Sequence, residues 1–171
     1  MPGQTIRTQI NFIHEIKQIF MTTDTTSEVS YYEAVGRRRE ASARVRLYVV
    51  REGSVKVGET QLQKGAISVN GRPVEQYFPG EVGKKVYQEP FRTTNKLARF
   101  AVSIRGAGGG LSGQLGAVIL GISRALEKVD REKFRPILKK RGFLKRDPRA
   151  KQRRKAGYAG KARARKQSPK R

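Results

Sequence analysis

A chain of 171 residues has room for one domain and its tails, and without a single cysteine it holds neither a disulfide nor a thiolate metal site. The formal charge of +24 is unevenly placed: residues 1–30 carry 2 basic and 3 acidic side chains, residues 31–130 carry 17 and 9, and residues 131–171 carry 19 and 2. His14 is the only histidine and has no second ligand nearby, so neither a Ser-His-Asp nor a Cys-His catalytic arrangement has support, and no apolar run is long enough to span a bilayer.

Ile6, Ile10, Ile13, Ile16 and Phe20 recur at helical spacing, which predicts a short amphipathic helix, loosely like an organellar presequence. An alternative is a translation start at Met21. Residues 22–30 (TTDTTSEVS) are expected to be a polar, disordered linker. A globular domain then begins at Tyr31. In ASARVRLYVV, Ala43, Val45, Leu47 and Val49 alternate with Arg44, Arg46 and Tyr48, which predicts a half-buried strand with a basic outer face. Gly53 and Gly58 are expected to bracket a turn. AISVNGRP predicts a second strand, closed by Asn70-Gly71 and stopped by Pro73.

Short helical pieces are expected in VEQYF and EVGKKVYQ, separated by Pro79-Gly80. LARFAVSIR predicts a third strand with Ala98, Phe100, Val102 and Ile104 on one face. After GAGGG, where a glycine at or beside Gly110 is expected to take positive φ, a helix starts near Ser112. Its apolar stripe is Leu115, Ile119, Ile122, Leu126 and Val129, with Gly113, Gly116 and Gly121 allowing close packing on a sheet. A last short helix from Pro136 to Arg141 carries Ile137 and Leu138. The irregular alternation of strands and helices predicts an α+β fold, a small sheet with helices packed on one face. It divides the chain into an extension (1–30), a globular domain (31–142) and a basic tail (143–171).

Gly108 to Gly113 reads literally as G-x-G-x-x-G, with Asp130 about twenty residues on, which would suit a dinucleotide. The helix, however, runs to about Val129 with no strand before Asp130, and no Lys follows the glycines as in a P-loop. A tight turn onto the sheet is the better reading. Arg37, Arg38, Arg39, Arg44 and Arg46 have little acid interleaved, a pattern suited to phosphate and sugar contacts of RNA. The 28 residues after Phe143 reach roughly 90–100 Å if extended. Charge of this density opposes compaction until a polyanion neutralises it, and an anionic membrane is a poor partner because the segment has no apolar face to insert. Ser168-Pro169-Lys170-Arg171 also resembles the Ser-Pro-basic-basic repeats of linker-histone tails, so a DNA-packing protein is the competing reading; the motif occurs once.

YYEAVGRRREASARVRLY, ISVNGRPVEQYF, GGGLSGQLGAVILGISRAL and RPILKKRGFLKRDPR, followed by a basic tail ending in Lys-Arg, stand in one order over about 140 residues. From Tyr31 onward the chain thereby resembles the bacterial and organellar family of small-subunit ribosomal protein number nine. The resemblance implies the fold of the second domain of small-subunit ribosomal protein number five. It also implies assembly on small-subunit rRNA in the head, beside neighbouring small-subunit ribosomal proteins, in the cytoplasmic ribosome of a bacterium or alternatively an organellar one. It carries rRNA contact over to the arginines already named and to Lys145, Arg146, Arg149, Arg153, Arg154, Lys155, Lys161, Arg163 and Arg165. It carries contact with the anticodon stem-loop of peptidyl-site tRNA over to Lys170 and Arg171. The family's aromatic near the C-terminus is missing from Gln167-Ser168-Pro169-Lys170-Arg171. No cofactor, metal, membrane or small-molecule substrate is expected, and no enzymatic activity.

Overall fold

The computed structural model describes residues 30–50, 53–58, 60–154 and 156. The helix expected over residues 6–20 and the linker before Ser30 lie outside them. In chain order the elements are β1 (Tyr31–Arg38), β2 (Ala41–Val49), β3 (Ser54–Val57), β4 (Thr60–Gln63), β5 (Ile67–Val69), β6 (Arg72–Pro73), α1 (Val74–Tyr77), α2 (Glu81–Thr93), β7 (Phe100–Ala107), α3 (Leu111–Val129) and α4 (Arg131–Lys140). The main sheet has the order β1-β2-β7-β5-β6, and β3 and β4 form a separate hairpin. Only β5 and β7 pair in parallel; every other neighbour is antiparallel.

One face of the sheet carries the main core. Ala43, Val45 and Leu47 of β2, with Phe100, Val102 and Ile104 of β7, meet Ala117, Ile122 and Leu126 of α3, Tyr87 and Phe91 of α2 and Leu138 of α4. The helices therefore lie on one face, as expected of this α+β pattern. Helix α3 lies against β1 and β2, and its approach depends on glycine. A Cβ on Gly36 would overlap the carbonyl oxygen of Ala117 and the amide nitrogen of Gly121, and one on Gly121 would stand 2.6 Å from Val45 Cγ2. The opposite face is half covered: the β3–β4 hairpin sets Val55 and Leu62 over Tyr48, Val50 and Ala101.

Several expectations are corrected. Tyr48 is buried and Val49 is 37% exposed, because the hairpin covers the outer face at that end of β2 while the helices no longer reach the inner one. Gly53 and Gly58 bracket a strand, β3, and both have positive φ. Ala98 precedes β7 and is exposed. Helix α2 continues through Pro90 to Thr93. Helix α4 begins five residues before Pro136, because Asp130 accepts a hydrogen bond from the Lys133 amide at its start; it buries Phe134 and Leu138 while Ile137 is exposed. Strand β1 has no counterpart among the predicted elements.

Candidate nucleic-acid interface

On β2 and β7 the residues between the core positions point away from the helices, so alternation puts Arg44, Arg46, Ser103 and Arg105 on the open face. There the antiparallel register sets Arg44 opposite Arg105 and Arg46 opposite Ser103. With Ser68, Asn70 and Gly71 as floor and Val57, Gly58, Thr60 and Leu62 of the hairpin as wall, they line a groove of about 580 Å³. Arg46 is the constrained cation of the group. Its Nε donates to Glu33 Oε2 at 2.6 Å, and its guanidinium stands 4.7 Å over the ring of Tyr31. The Glu33 hydrogen bond raises the Arg46 pKa against burial, which lowers it. The exposed aromatic on this face is thus Tyr31, Tyr48 being covered by the hairpin.

The Arg37–Arg39 cluster is split by the β1–β2 turn. Arg37 is exposed on the open side, opposite Ser42. Arg39 sits in the turn with φ 52°. Arg38 points to the helix side, lies over Gly116 and donates from Nη1 to the Ser112 carbonyl at 3.5 Å. Its Nη2 is 3.3 Å from Asp147 Oδ2. The glycine loop packs on the same turn: Gly108 and Gly109 have φ of 70° and 60°, and a Cβ on Gly108 would stand 2.6 Å from the Glu40 carbonyl oxygen. Gly110 itself, at φ −112°, is extended. Among the described residues no strand follows α3, and Asp130 caps α4, so the dinucleotide geometry is missing.

Past α4 the chain turns at Gly142, with φ 76°, and the Phe143 amide donates to the Leu138 carbonyl at 3.1 Å. Phe143 and Leu144 then pack against the core. Asp147 fixes the start of the tail. It accepts from Arg149 Nε at 3.0 Å, Arg149 Nη2 at 2.8 Å and the Arg149 amide at 3.1 Å. Those bonds, with the charge of Arg38, hold its carboxyl well below the usual carboxylate range. Two residues expected on RNA, Arg38 and Arg149, are therefore engaged by one carboxylate at the root of the tail. Lys145, Arg146, Arg153 and Arg154 are exposed. Lys155, Lys161, Arg163, Arg165, Lys170 and Arg171 lie outside the described residues.

Sequence reasoning passed over two further groups of cations. Arg105 is invisible as a partner of Arg44 until the strand register is known. On α3, Arg124 Nη1 donates to the Val35 carbonyl at 3.0 Å and Lys128 Nζ to the Glu33 carbonyl at 2.7 Å, which occupies the outer edge of β1. Their spacing of four residues was the available signal. Among the described residues no cluster of His, Asp and Glu is suited to a metal ion, and no helix is long and apolar enough to cross a membrane.

Comparison with known proteins adds the family. The profile of the family described as "Ribosomal protein S9/S16" matches residues 36–171. Small ribosomal subunit protein uS9 of Leifsonia xyli is 46% identical over 124 residues, covering 72% of this chain and 66% of the relative. The protein of that name from Cutibacterium acnes is 47% identical over 124 residues, with 72% and 64% covered. That from Maridesulfovibrio salexigens is 46% identical over 138 residues, with 81% and 95% covered. The matched region thus spans slightly less than two thirds of the first two relatives and nearly all of the third. The chain belongs to the ribosomal protein S9/S16 family.

Proposed function

We propose that the protein is a structural constituent of the small ribosomal subunit that binds small-subunit rRNA, in contact with neighbouring ribosomal proteins, and whose C-terminal tail delivers Lys170 and Arg171 to the anticodon stem-loop of peptidyl-site tRNA. The carrying observation is that the family match runs through the whole basic tail to residue 171, so the tail is part of what the family shares. In this reading residues 1–30 are an extension, 31–142 the domain and 143–171 the RNA-binding tail. The rRNA path is lined by Lys145, Arg146, Arg153, Arg154, Lys155, Lys161, Arg163 and Arg165, with Arg37, Arg39, Arg44 and Arg46 on the domain. The relatives named above are bacterial, which is in keeping with the ribosome of a bacterium, and the organellar ribosome stands as the alternative.

The reaction is association rather than catalysis. Phosphate contacts release counterions, supply affinity and fix orientation without reading sequence. Leu144 packs on the core and Asp147 holds the root, so the informative truncation removes residues 150–171 and leaves both in place. It deletes ten basic side chains. If half of them touch phosphates, the slope of log affinity against log salt falls by about 3.5, at about 0.7 per contact on single strands. An unchanged slope refutes the tail as the RNA-binding segment. Removing only Lys170 and Arg171 is expected to leave rRNA binding intact and to weaken tRNA binding to reconstituted small subunits by a similar modest factor for every tRNA. Equal affinities with and without the two residues refute the tRNA contact.

A further inference from the structure

Arg44 and Arg105 face one another across the β2–β7 ladder, both on the open side of the sheet. Directly opposed like charges weaken a sheet. Relief by a carboxylate is the usual remedy, and the next residue on the same face has it: Arg46 holds Glu33. Among the described residues, neither Arg44 nor Arg105 has a carboxylate within ion-pair distance. The two guanidinium groups also line a concave surface rather than a flat one, the groove of about 580 Å³ beneath the β3–β4 hairpin. Ser68 and Ser103, small and hydroxyl-bearing, line it beside the arginines. A repulsive cation pair facing a polar hollow is arranged for an anion that bridges it.

We propose that this groove seats the backbone of an unpaired RNA strand, with one phosphate bridged by Arg44 and Arg105 and the adjoining ribose hydroxyls meeting Ser68 and Ser103. The volume is that of a small-ligand cleft, enough for a nucleotide or two of a strand. Arginine is suited to the task because its planar fork matches phosphate in a bidentate manner. The site rests on the reading of the protein as an rRNA binder and adds a contact on the domain that is independent of the tail.

The test is arginine footprinting of the full chain with phenylglyoxal, read by mass spectrometry, in the absence and presence of small-subunit rRNA. Arg44 and Arg105 are expected to react in the free protein and to be protected in the complex. Protection of Arg153 and Arg154 while Arg44 and Arg105 stay reactive overturns this site and leaves the tail's role standing, whereas protection of none of the four overturns both. Equal protection by polyglutamate at the same charge concentration would show a general polyanion patch and overturn the assignment to RNA. The double variant Arg44→Gln, Arg105→Gln supplies the second measurement. It is expected to lower the salt slope of rRNA binding by about 0.7, the value for the one bridged phosphate. In the free protein its melting temperature at low salt should match or exceed that of the wild type, because a repulsion has been removed. A lowered melting temperature with unchanged rRNA affinity would make the pair structural and overturn the proposal.

Discussion

Replacing Gly36 by Ala sets local preference against tertiary geometry. In a strand interior Ala is ordinarily better than Gly, whose backbone loses more freedom on folding, so propensity alone predicts a stabilising change. The packing predicts the reverse. The new Cβ meets the carbonyl oxygen of Ala117 and the amide nitrogen of Gly121, and both belong to the backbone of α3, so no side-chain rotation relieves the overlap. Ordinary contact requires about 3.4 Å or more, and the Ala117 carbonyl carbon already stands at 3.0 Å from that position. The helix must retreat from β1, and a gap of 0.5–1 Å forfeits about a quarter to a half of each dispersion contact it opens. Ala34, Ala43, Val45 and Val118 all lie in that seam. Overpacking costs about 1–3 kcal/mol, and a backbone-on-backbone clash belongs at the upper end, about 3 kcal/mol. For a domain of this size that corresponds to a fall in Tm on the order of 12–20 °C. Thermal unfolding followed by circular dichroism measures it, with Gly110→Ala as the control. Gly110 has φ −112° and nothing within 4 Å of an added Cβ. Its gain from reduced chain entropy and its loss as a helix N-cap are each below about 1 kcal/mol and oppose one another. A Gly36→Ala protein melting within a few degrees of the wild type, or a control equally damaged, refutes the close approach of α3 as the reason for glycine at this position.

Two further substitutions test single polar groups. Asp147→Asn replaces the carboxylate that holds Arg38 and Arg149 by an amide, and trypsin cleavage after Arg146 and Arg149 is expected to accelerate; an unchanged rate refutes the clamp. Because the folded-state pKa of Asp147 is lowered, its stabilisation is fully present above the unfolded value of about 3.9 and is lost only as pH falls through the lower folded value. A carboxyl titration by NMR is therefore expected to show a midpoint below that of an ordinary aspartate. The Tyr87 hydroxyl is buried and has no hydrogen-bond partner among the described residues, and burial raises its pKa. Tyr87→Phe removes a desolvated group without opening a cavity, and is expected to leave stability unchanged or raise it by about 1 kcal/mol. A loss of more than about 1 kcal/mol in chemical denaturation refutes that.

Legibility in the chain depends on how far each signal reaches. Asn70-Gly71 declares its turn outright, and both residues take positive φ, at 51° and 79°. Alternation in β2 and β7 likewise speaks within a dozen residues, whereas of the expected stripe of α3 only Ile122 and Leu126 are fully buried, because the helix turns Ala117, Val118, Gly121 and Ala125 to the sheet. Strand β1 is silent because its inward positions are Ala34, Gly36 and Arg38, small or charged side chains chosen by the helix above them, so no apolar period appears. Tyr48 misleads because its burial is decided by a hairpin later in the chain. Ile137 misleads because helix start and phase were taken from Pro136, whereas Asp130 sets them and turns Phe134 inward instead. In the candidate interface, the basic character of the outer face of β2 could be read from Arg44 and Arg46. The opposition of Arg44 to Arg105 depends on a register between distant strands, and the contact of Arg38 with Asp147 spans more than a hundred residues. Neither leaves a local trace.

The carboxylates of the described region separate cations of two kinds. Glu33 takes Arg46, Asp147 takes Arg38 and Arg149, Glu127 takes Arg135, and Glu89 is 3.6 Å from Arg141. Each of these pairs ties one element to another or fixes the root of the tail, and their charge is largely cancelled where it stands. Partly exposed pairs of this type contribute modestly to stability, so their clearer consequence is orientation. Asp147 directs the departing chain past the β1–β2 turn, and Glu33 keeps Arg46 at the margin of the groove rather than across it. Arg44 and Arg105 stand outside this pairing, and the tail adds ten basic side chains with no acidic one after residue 149. A uniform basic surface would lose RNA affinity by a similar step at every cation removed. On the proposed reading the arrangement is graded: loss of Arg38 or Arg149 is expected to act through the path of the tail, whereas loss of Arg44 or Arg105 is expected to act on the bound phosphate directly and to relieve a repulsion in the free protein. That difference in the sign of the stability change separates cations that hold the protein's own shape from those that await RNA.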